Sequence, residues 1–134
     1  MALRLSHTTV NALDAHAQSM WWGEVLGWHE DPDDPNEPGH EECMIFPPGG
    51  EQPSLLFIQV PDAKTPIRNR VHLDLRPTDR SRDEERERVR ALGAVDVEDC
   101  RTADGRGWWV MADPEGNEFC ILRSDAERRA AGDL

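Results

Sequence analysis

Tyrosine is absent from this 134-residue chain, and so is any long apolar run. Without tyrosine, the phenolic acid or base that some enzymes use is excluded. A membrane-spanning helix needs about 20 apolar residues, and no segment of the sequence comes near that length. The N-terminal MALRLSHTTV also lacks the basic segment and apolar stretch of a secretory signal. We therefore expect no membrane partner.

Cysteine is too scarce and too scattered to form a disulfide framework. The three cysteines, Cys43, Cys100 and Cys120, are far apart and odd in number. They include no CxxC pair of the kind that binds metal. A reducing cytoplasm is the compartment that this pattern favours.

Positively charged residues are also few relative to negatively charged ones. The chain has 15 lysines and arginines against 27 aspartates and glutamates, which gives a net charge of −12. Nucleic acids and anionic membranes would be repelled by such a surface. The charge balance predicts no nucleic-acid partner and is compatible with a neutral or cationic small ligand.

The first half of the chain reads as a strand, a helix and further strands. Alternation predicts a strand from Leu3 to about Val10. A helix follows in AHAQSMWWGEVLGW, with Asp14 as its N-cap and Gly27 just beyond its end. The acidic, proline-rich HEDPDDPNEPGHEE is predicted as a long exposed loop. CMIF and SLLFIQV are then predicted strands.

The second half repeats this order. RVHLDLR is a predicted strand, DRSRDEERERVRALGA a helix that ends at Gly93, and VDVEDCR, GWWVMA and EFCILR three further strands. His7 and His72 occupy corresponding first strands, VLGW corresponds to ALGA, and PPGG to DPEG. These coincidences indicate an internal duplication of about half the chain.

Three segments carry a resemblance to a known family: LSHTTVNALDAHAQSMWWGEVLGW, NRVHLDLR and DPEGNEFCIL. They resemble the vicinal oxygen chelate superfamily, which includes glyoxalase I, bleomycin- and fosfomycin-resistance proteins and extradiol dioxygenases, and most closely its small glyoxalase-like subfamily. The resemblance implies an α+β fold of two tandem βαβββ modules, whose curled mixed sheet encloses a cup-shaped cavity. The expected single domain spans residues 1–134, with modules at about 3–62 and 69–123 and a short polar tail at 124–134.

The resemblance also implies where a metal would bind. Metal-using members place one ligand on the first strand and one on the last strand of each module. His7 and His72 match the first-strand positions. The carboxylate expected two residues past Glu118 is replaced by Cys120, and SLLFIQV has no carboxylate. Because two histidines alone bind a transition metal weakly, we expect Cys120 to point inward without a tightly bound metal.

Two carboxylates near these positions have open roles. Glu118 shares a strand face with Cys120, so it is either a general base in the cup or a partner of the adjacent turn. Asp74 is in phase with His72 and either lines the same pocket or pairs with a neighbouring arginine.

The adjacent tryptophans Trp108 and Trp109 must face opposite sides of their strand. One packs in the core or at a subunit interface, and the other can form an aromatic wall for a flat ligand. An exposed sheet tryptophan favours a homodimer, as does the resemblance.

Two functions follow from these observations. The first is a glyoxalase-like enzyme, of lyase, isomerase or dioxygenase type, acting on a small oxygenated metabolite. The alternative is a protein that sequesters a ligand or drug without turnover, as bleomycin-resistance members do. The candidate catalytic residue is Glu118, and His7 and His72 are the candidate metal ligands. The predicted ligand-binding residues are His7, His72, Asp74, Trp108 and Cys120.

Overall fold

The computed structural model describes residues 1–51 and 53–134, which divide into two compact units, Met1–Ala63 and Lys64–Leu134. Each unit contains one small mixed sheet with a helix packed on one face. The α+β class is therefore confirmed, with helices and strands alternating in the order expected for two βαβββ modules.

The first unit has three strands and one long helix. The elements are strand β1 (His7–Ala12), helix α1 (Ala15–Leu26), strand β2 (Glu42–Ile45) and strand β3 (Ser54–Gln59). The sheet order is β1-β3-β2, with β1 parallel and β2 antiparallel to β3. As predicted, the Asp14 side chain caps α1 by accepting from the Ala17 amide at 3.0 Å. Gly27 ends the helix in the left-handed conformation.

The second unit has four strands. The elements are β4 (Leu73–Leu75), α2 (Arg82–Ala91), β5 (Val95–Arg101), β6 (Gly107–Ala112), β7 (Glu118–Ile121) and α3 (Asp125–Ala130). The sheet order is β4-β7-β6-β5, with β4 parallel to β7 and the other pairs antiparallel. In both units the first strand pairs in parallel with the last strand, as an internal duplication requires.

The first unit is shorter by one strand than the second. Within the described residues, its fourth sheet position, which β5 fills in the second unit, is reduced to an isolated bridge between His29 and Phe46. The segment that would continue this strand contains Pro32, Pro35 and Pro38. Proline has no amide hydrogen to donate to a strand ladder, which explains why pairing stops there.

Two predicted strands begin three or four residues later in the structure than the sequence indicates. The first strand begins at His7 and not at Leu3, whose side chain is fully exposed. The first strand of the second unit covers only Leu73–Leu75, and Val71 lies outside it and is exposed. In both places, alternation continued in the sequence beyond the point where a neighbouring strand is available for pairing.

The C-terminal tail is not wholly irregular, because residues 125–130 form helix α3. Ser124 and Glu127 form a reciprocal capping box at its start. The same Glu127 carboxylate accepts from the backbone amide of Arg82 at 2.9 Å, which joins the start of α2 to α3. The S-x-x-E pattern is a recognised helix start, but a six-residue segment with four charged residues and two alanines gave no apolar periodicity to support it.

One face of each sheet is buried against its helix and the other is open. In the first unit, Leu55 and Phe57 of β3 are buried on the side of α1. In the second unit, Met111 and Phe119 are buried on the side of α2. Because side chains alternate along a strand, the intervening residues lie on the open faces, where a ligand can approach.

The β5–β6 hairpin is fixed to α2 by one buried arginine. Nη1 of Arg82 donates to the carbonyl oxygens of Gly105, Arg106 and Gly107, at 3.2, 3.1 and 3.0 Å. Gly107 has a φ of 89°, and a Cβ there would lie 2.1 Å from the carbonyl oxygen of Cys100. Only glycine fits so close an approach. These contacts place the start of β6, and with it Trp108.

Among the described residues, no helix has the length and apolar character needed to cross a membrane.

Candidate functional site

The open face of the second sheet carries a cavity of about 500 Å³. This volume lies within the range of small-molecule sites. Four of the predicted ligand-binding residues and the predicted catalytic residue line it. The lining residues are Arg68, Asn69, His72, Asp74, Glu98, Cys100, Trp108, Val110, Glu118, Cys120 and Leu122.

Strand register explains why these side chains meet. Cys120 of β7 pairs directly with Asp74 of β4 on one side and with Val110 of β6 on the other. Directly paired residues point to the same face of a sheet, and residues two apart share that face. Glu118 and Trp108 are therefore placed on the open face together with Cys120.

Three polar groups cluster at the β4–β7 pair. Nδ1 of His72 lies 3.4 Å from a carboxylate oxygen of Asp74 and 3.9 Å from Sγ of Cys120. The ligand atoms of all three residues lie within 4.8 Å of one another. Asp74 therefore lines the pocket beside His72, as one of the two readings predicted. Among the described contacts, the nearby Arg76 pairs instead with Asp125.

The Cys120 thiol is buried and protonated at neutral pH. Its side chain points inward, with the residue only 4% exposed, as predicted. Burial, followed by a hydrogen bond to the Asp74 carboxylate and its negative charge, raises the pKa of Cys120 to about 12. Since the thiolate is the nucleophile and the metal ligand, this environment opposes both roles.

The cluster is a poor match for the hard divalent ions that carboxylates bind. Imidazole, carboxylate and thiolate together suit a borderline ion such as zinc. Binding would require Cys120 to lose a proton, and in the metal-free protein burial raises the pKa of this thiol. The side chains of His72 and Asp74 are about half exposed, at 45% and 54%. The residues of this unit thus fit a tightly held metal poorly.

Glu118 binds two residues near the N-terminal end of the second unit, and one of these contacts is with the backbone amide of Asn69. Its two carboxylate oxygens accept from the Lys64 ammonium at 2.9 Å and from the Asn69 amide at 3.1 Å. Burial opposes ionisation of Glu118, but these hydrogen bonds outweigh it and lower the pKa of Glu118. The contacts match the alternative reading of Glu118 as a partner of neighbouring backbone, and a catalytic role stays a prediction.

Lys64 is the only lysine in the chain, and it organises the segment that forms one wall of the cavity. Its ammonium also donates to the carbonyl oxygens of Thr65 and Ile67, at 3.0 and 2.9 Å. The lysine and Glu118 side chains are only 13% and 8% exposed. This buried pair thereby positions Arg68 and Asn69 at the cavity.

The two adjacent tryptophans divide between the faces, as alternation predicts. Trp109 is buried on the helix side, where its indole N–H donates to Asp83 at 3.1 Å. The Arg86 and Arg101 guanidinium groups lie 3.8 and 4.4 Å from the centroid of its ring. Trp108 is 43% exposed and lines the cavity.

His7 belongs to the other unit. It is the first residue of β1 and pairs with Ser54 of β3. A hydrogen bond of 3.0 Å joins its Nδ1 to the Ser6 hydroxyl. Alternation places it on the open face of its sheet with Leu56 and Ile58, and β3 supplies no carboxylate there. Whether His7 shares a cavity with His72 stays a prediction.

Sequence reasoning missed six residues that line the cavity: Arg68, Asn69, Glu98, Cys100, Val110 and Leu122. Arg68 and Asn69 lie between the predicted strands SLLFIQV and RVHLDLR, where no element was predicted. Glu98 and Cys100 were predicted on a strand, and their pairing with Val110 and Trp108 places them on the open face. A signal was available in the alternation of β5, but it required the register of the β5–β6 pair.

Comparison with protein families gives one match. The family model described as the glyoxalase-like domain matches residues 7–122, which is most of the chain. No curated protein matches the sequence at a significant level.

Solved structures share the fold at low sequence identity. One is the fosfomycin resistance protein FosX from Listeria monocytogenes, solved as a mutant complexed with Mn(II) and 1S,2S-dihydroxypropylphosphonic acid. Its sequence is 18% identical to this chain, its TM-score is 0.68, and 100% of each chain is covered. A glyoxalase/bleomycin resistance protein/dioxygenase family enzyme from Burkholderia phytofirmans is 18% identical with a TM-score of 0.64, over 89% of this chain and 97% of that one. A possible glyoxalase from Bacillus cereus is 12% identical with a TM-score of 0.64, over 90% and 99%.

The donor chemistry of the cluster predicts that the protein purifies without a stoichiometric metal. Elemental analysis of protein prepared without added metal should find well under one equivalent of zinc, nickel, iron or manganese per chain. His72→Ala and Cys120→Ser, prepared identically, should have the same metal content as the unmodified protein. One equivalent of metal that both substitutions remove would contradict this reading of the Cys120 thiol.

The buried Glu118–Lys64 pair should contribute to the free energy of unfolding, and this contribution should depend on pH. Glu118→Gln should lower the free energy of unfolding by about 2 kcal/mol at neutral pH, because it leaves a buried ammonium without its counter-charge. The pKa of Glu118 is lowered in the folded state. Its contribution is thus complete above the unfolded value of about 4.3 and is lost as pH falls through the folded value.

Urea unfolding at several pH values measures this difference. The gap between the unmodified protein and Glu118→Gln should be constant above about pH 5 and close at lower pH. Glu98→Gln is the matched control, because Glu98 forms a half-exposed pair with Arg68 and should cost less than about 1 kcal/mol. Equal losses from the two substitutions would contradict the structural role of Glu118.

Proposed function

Because this chain belongs to the glyoxalase-like domain family, we propose that it is a small-molecule-binding protein that holds its ligand in the cavity of its second unit. The observation that carries this proposal is the position of Trp108. Its indole is 43% exposed on the open sheet face, beside the polar cluster of His72, Asp74 and Cys120. An aromatic wall next to a few convergent polar groups is the usual form of a small-molecule site.

The contacts support binding more strongly than turnover. Glu118 is engaged by Lys64 and Asn69, and the Cys120 thiol is held protonated. Neither group is poised to accept a proton or attack a substrate. Sequestration of a ligand without chemistry requires only the cavity, its aromatic wall and its hydrogen-bonding groups.

An enzyme of unassigned reaction is the second candidate, and one contact favours it. The Asp74 carboxylate lies 3.4 Å from Nδ1 of His72. A carboxylate in this position orients an imidazole and leaves its other nitrogen to exchange a proton with a substrate. The fosfomycin resistance and dioxygenase-family relatives show that related folds host chemistry, but fold alone does not fix a reaction.

We also propose that the chain forms a homodimer in solution, as other short two-module chains of the superfamily do. Because Trp109 is covered within its own unit, Trp108 is the tryptophan of β6 whose exposure remains to be explained by a ligand or a partner chain. Sedimentation at micromolar concentration should give twice the 15.2 kDa mass of one chain. A mass of one chain at all concentrations would refute the dimer and leave the cavity proposal intact.

The ligand can be sought by thermal-shift screening of small aromatic and oxygenated metabolites, with calorimetry on the compounds that raise the melting temperature. Trp108→Ala should weaken the affinity of such a compound by about fivefold to tenfold, because stacking on an indole is worth about 1 to 1.5 kcal/mol. Its free energy of unfolding should change little, since the ring is half exposed.

The control is Trp21→Ala, which removes a tryptophan from α1 and should leave the affinity unchanged. An affinity that survives Trp108→Ala would refute this cavity as the ligand site. Product analysis by mass spectrometry then separates the two candidate functions. Sequestration predicts intact ligand after long incubation, whereas product that forms with the unmodified protein and not with His72→Ala would establish the enzyme.

A further inference from the structure

We infer that the cavity selects flat ligands that carry a positive charge and disfavours carboxylates and phosphonates. This inference rests on the proposed function and specifies the chemical class of the ligand. It follows from the arrangement of the charged groups around the cavity and from the distance between Asp74 and the aromatic wall.

Among the described residues, the cations at this cavity are already neutralised. Arg68 is the arginine of the lining, and its Nη1 lies 2.9 Å from a carboxylate oxygen of Glu98. Lys64 lies behind the wall, buried against Glu118 and two carbonyl oxygens. An anionic ligand would have to compete with these carboxylates for either cation.

One carboxylate of the lining has no such cation. The lining contains three carboxylates, Glu98, Glu118 and Asp74. Glu98 pairs with Arg68 and Glu118 with Lys64, so the charge of Asp74 is not compensated by either cation. Its described partners are the His72 imidazole and the Cys120 thiol. With its side chain 54% exposed, Asp74 presents negative charge to a ligand at low desolvation cost.

The aromatic wall is spaced for a two-ring ligand. Asp74 lies on β4 and Trp108 on β6, and β7 separates the two strands. Two strand spacings amount to about 10 Å across the sheet, and Trp108 lies two residues, about 7 Å, along β6 from Val110, which is level with Asp74. A bicyclic heteroaromatic cation can therefore stack on the Trp108 face while its charge approaches Asp74. The indole face itself attracts cations, so both groups favour the same sign of charge.

A series of probes that share the quinoline ring and differ in charge tests the charge preference. The probes are N-methylquinolinium, quinoline and quinoline-6-carboxylate, titrated calorimetrically at neutral pH. The quinolinium should bind with submillimolar affinity and at least tenfold more tightly than the carboxylate, with quinoline between them. Asp74→Asn should remove most of the preference for the cation, and Glu98→Gln should strengthen binding of the carboxylate by releasing Arg68.

The outcomes separate this inference from the proposed function. Equal affinities for the three probes that are all lost in Trp108→Ala would overturn the charge preference and retain the cavity as a ligand site. Binding that is insensitive to Trp108→Ala would overturn the proposed function. A cation preference that persists in Asp74→Asn would assign it to the net charge of the chain, and no measurable quinolinium binding would overturn the inference directly.

Discussion

The pairing of β7 between β4 and β6 is the constraint on which the candidate site depends. All four residues of β7 are buried, because one face packs on α2 and the other forms the floor of the cavity. A register slip by one residue would exchange Glu118 and Cys120 with Phe119 and Ile121. It would bury a carboxylate in the core and expose a phenylalanine, so the apolar core strongly favours the register that builds the site.

Polar groups on this floor are tolerated because each has a partner. Glu118 meets the ammonium of Lys64, which is anchored in turn by two carbonyl oxygens. Cys120 remains a neutral thiol beside Asp74. A charged side chain at the Cys120 position would need its own counter-charge on a buried strand. The neutral thiol avoids that requirement, and Glu118 meets it with the chain's single lysine.

Local sequence signals, such as helix caps and alternation, predicted most helices and strands. The features that they missed depend on pairing between strands that are distant in the sequence. Asp14 and Gly27 marked the ends of α1 correctly, and β5 and β6 have their predicted bounds. The first strand was wrong at its start because residues 3–6 alternate but lie outside β1. Five of the six candidate site residues lie at the cavity of one unit. Their placement on one face depends on the pairing of β7 with β4 and β6, which no local pattern of the sequence reports.

The family resemblance predicts a carboxylate at the position of Cys120. Strand pairing places another carboxylate, that of Asp74, directly beside it. Cys120 and Asp74 are direct neighbours in the parallel β4–β7 pair, so their side chains point to the same face. The carboxylate missing from position 120 thus has a counterpart one strand away, at the half-exposed edge of the sheet. A carboxylate there is better hydrated and closer to a ligand entering from solvent. This placement supports the proposed recognition of charge, since a half-exposed carboxylate retains the freedom to meet a ligand of variable shape.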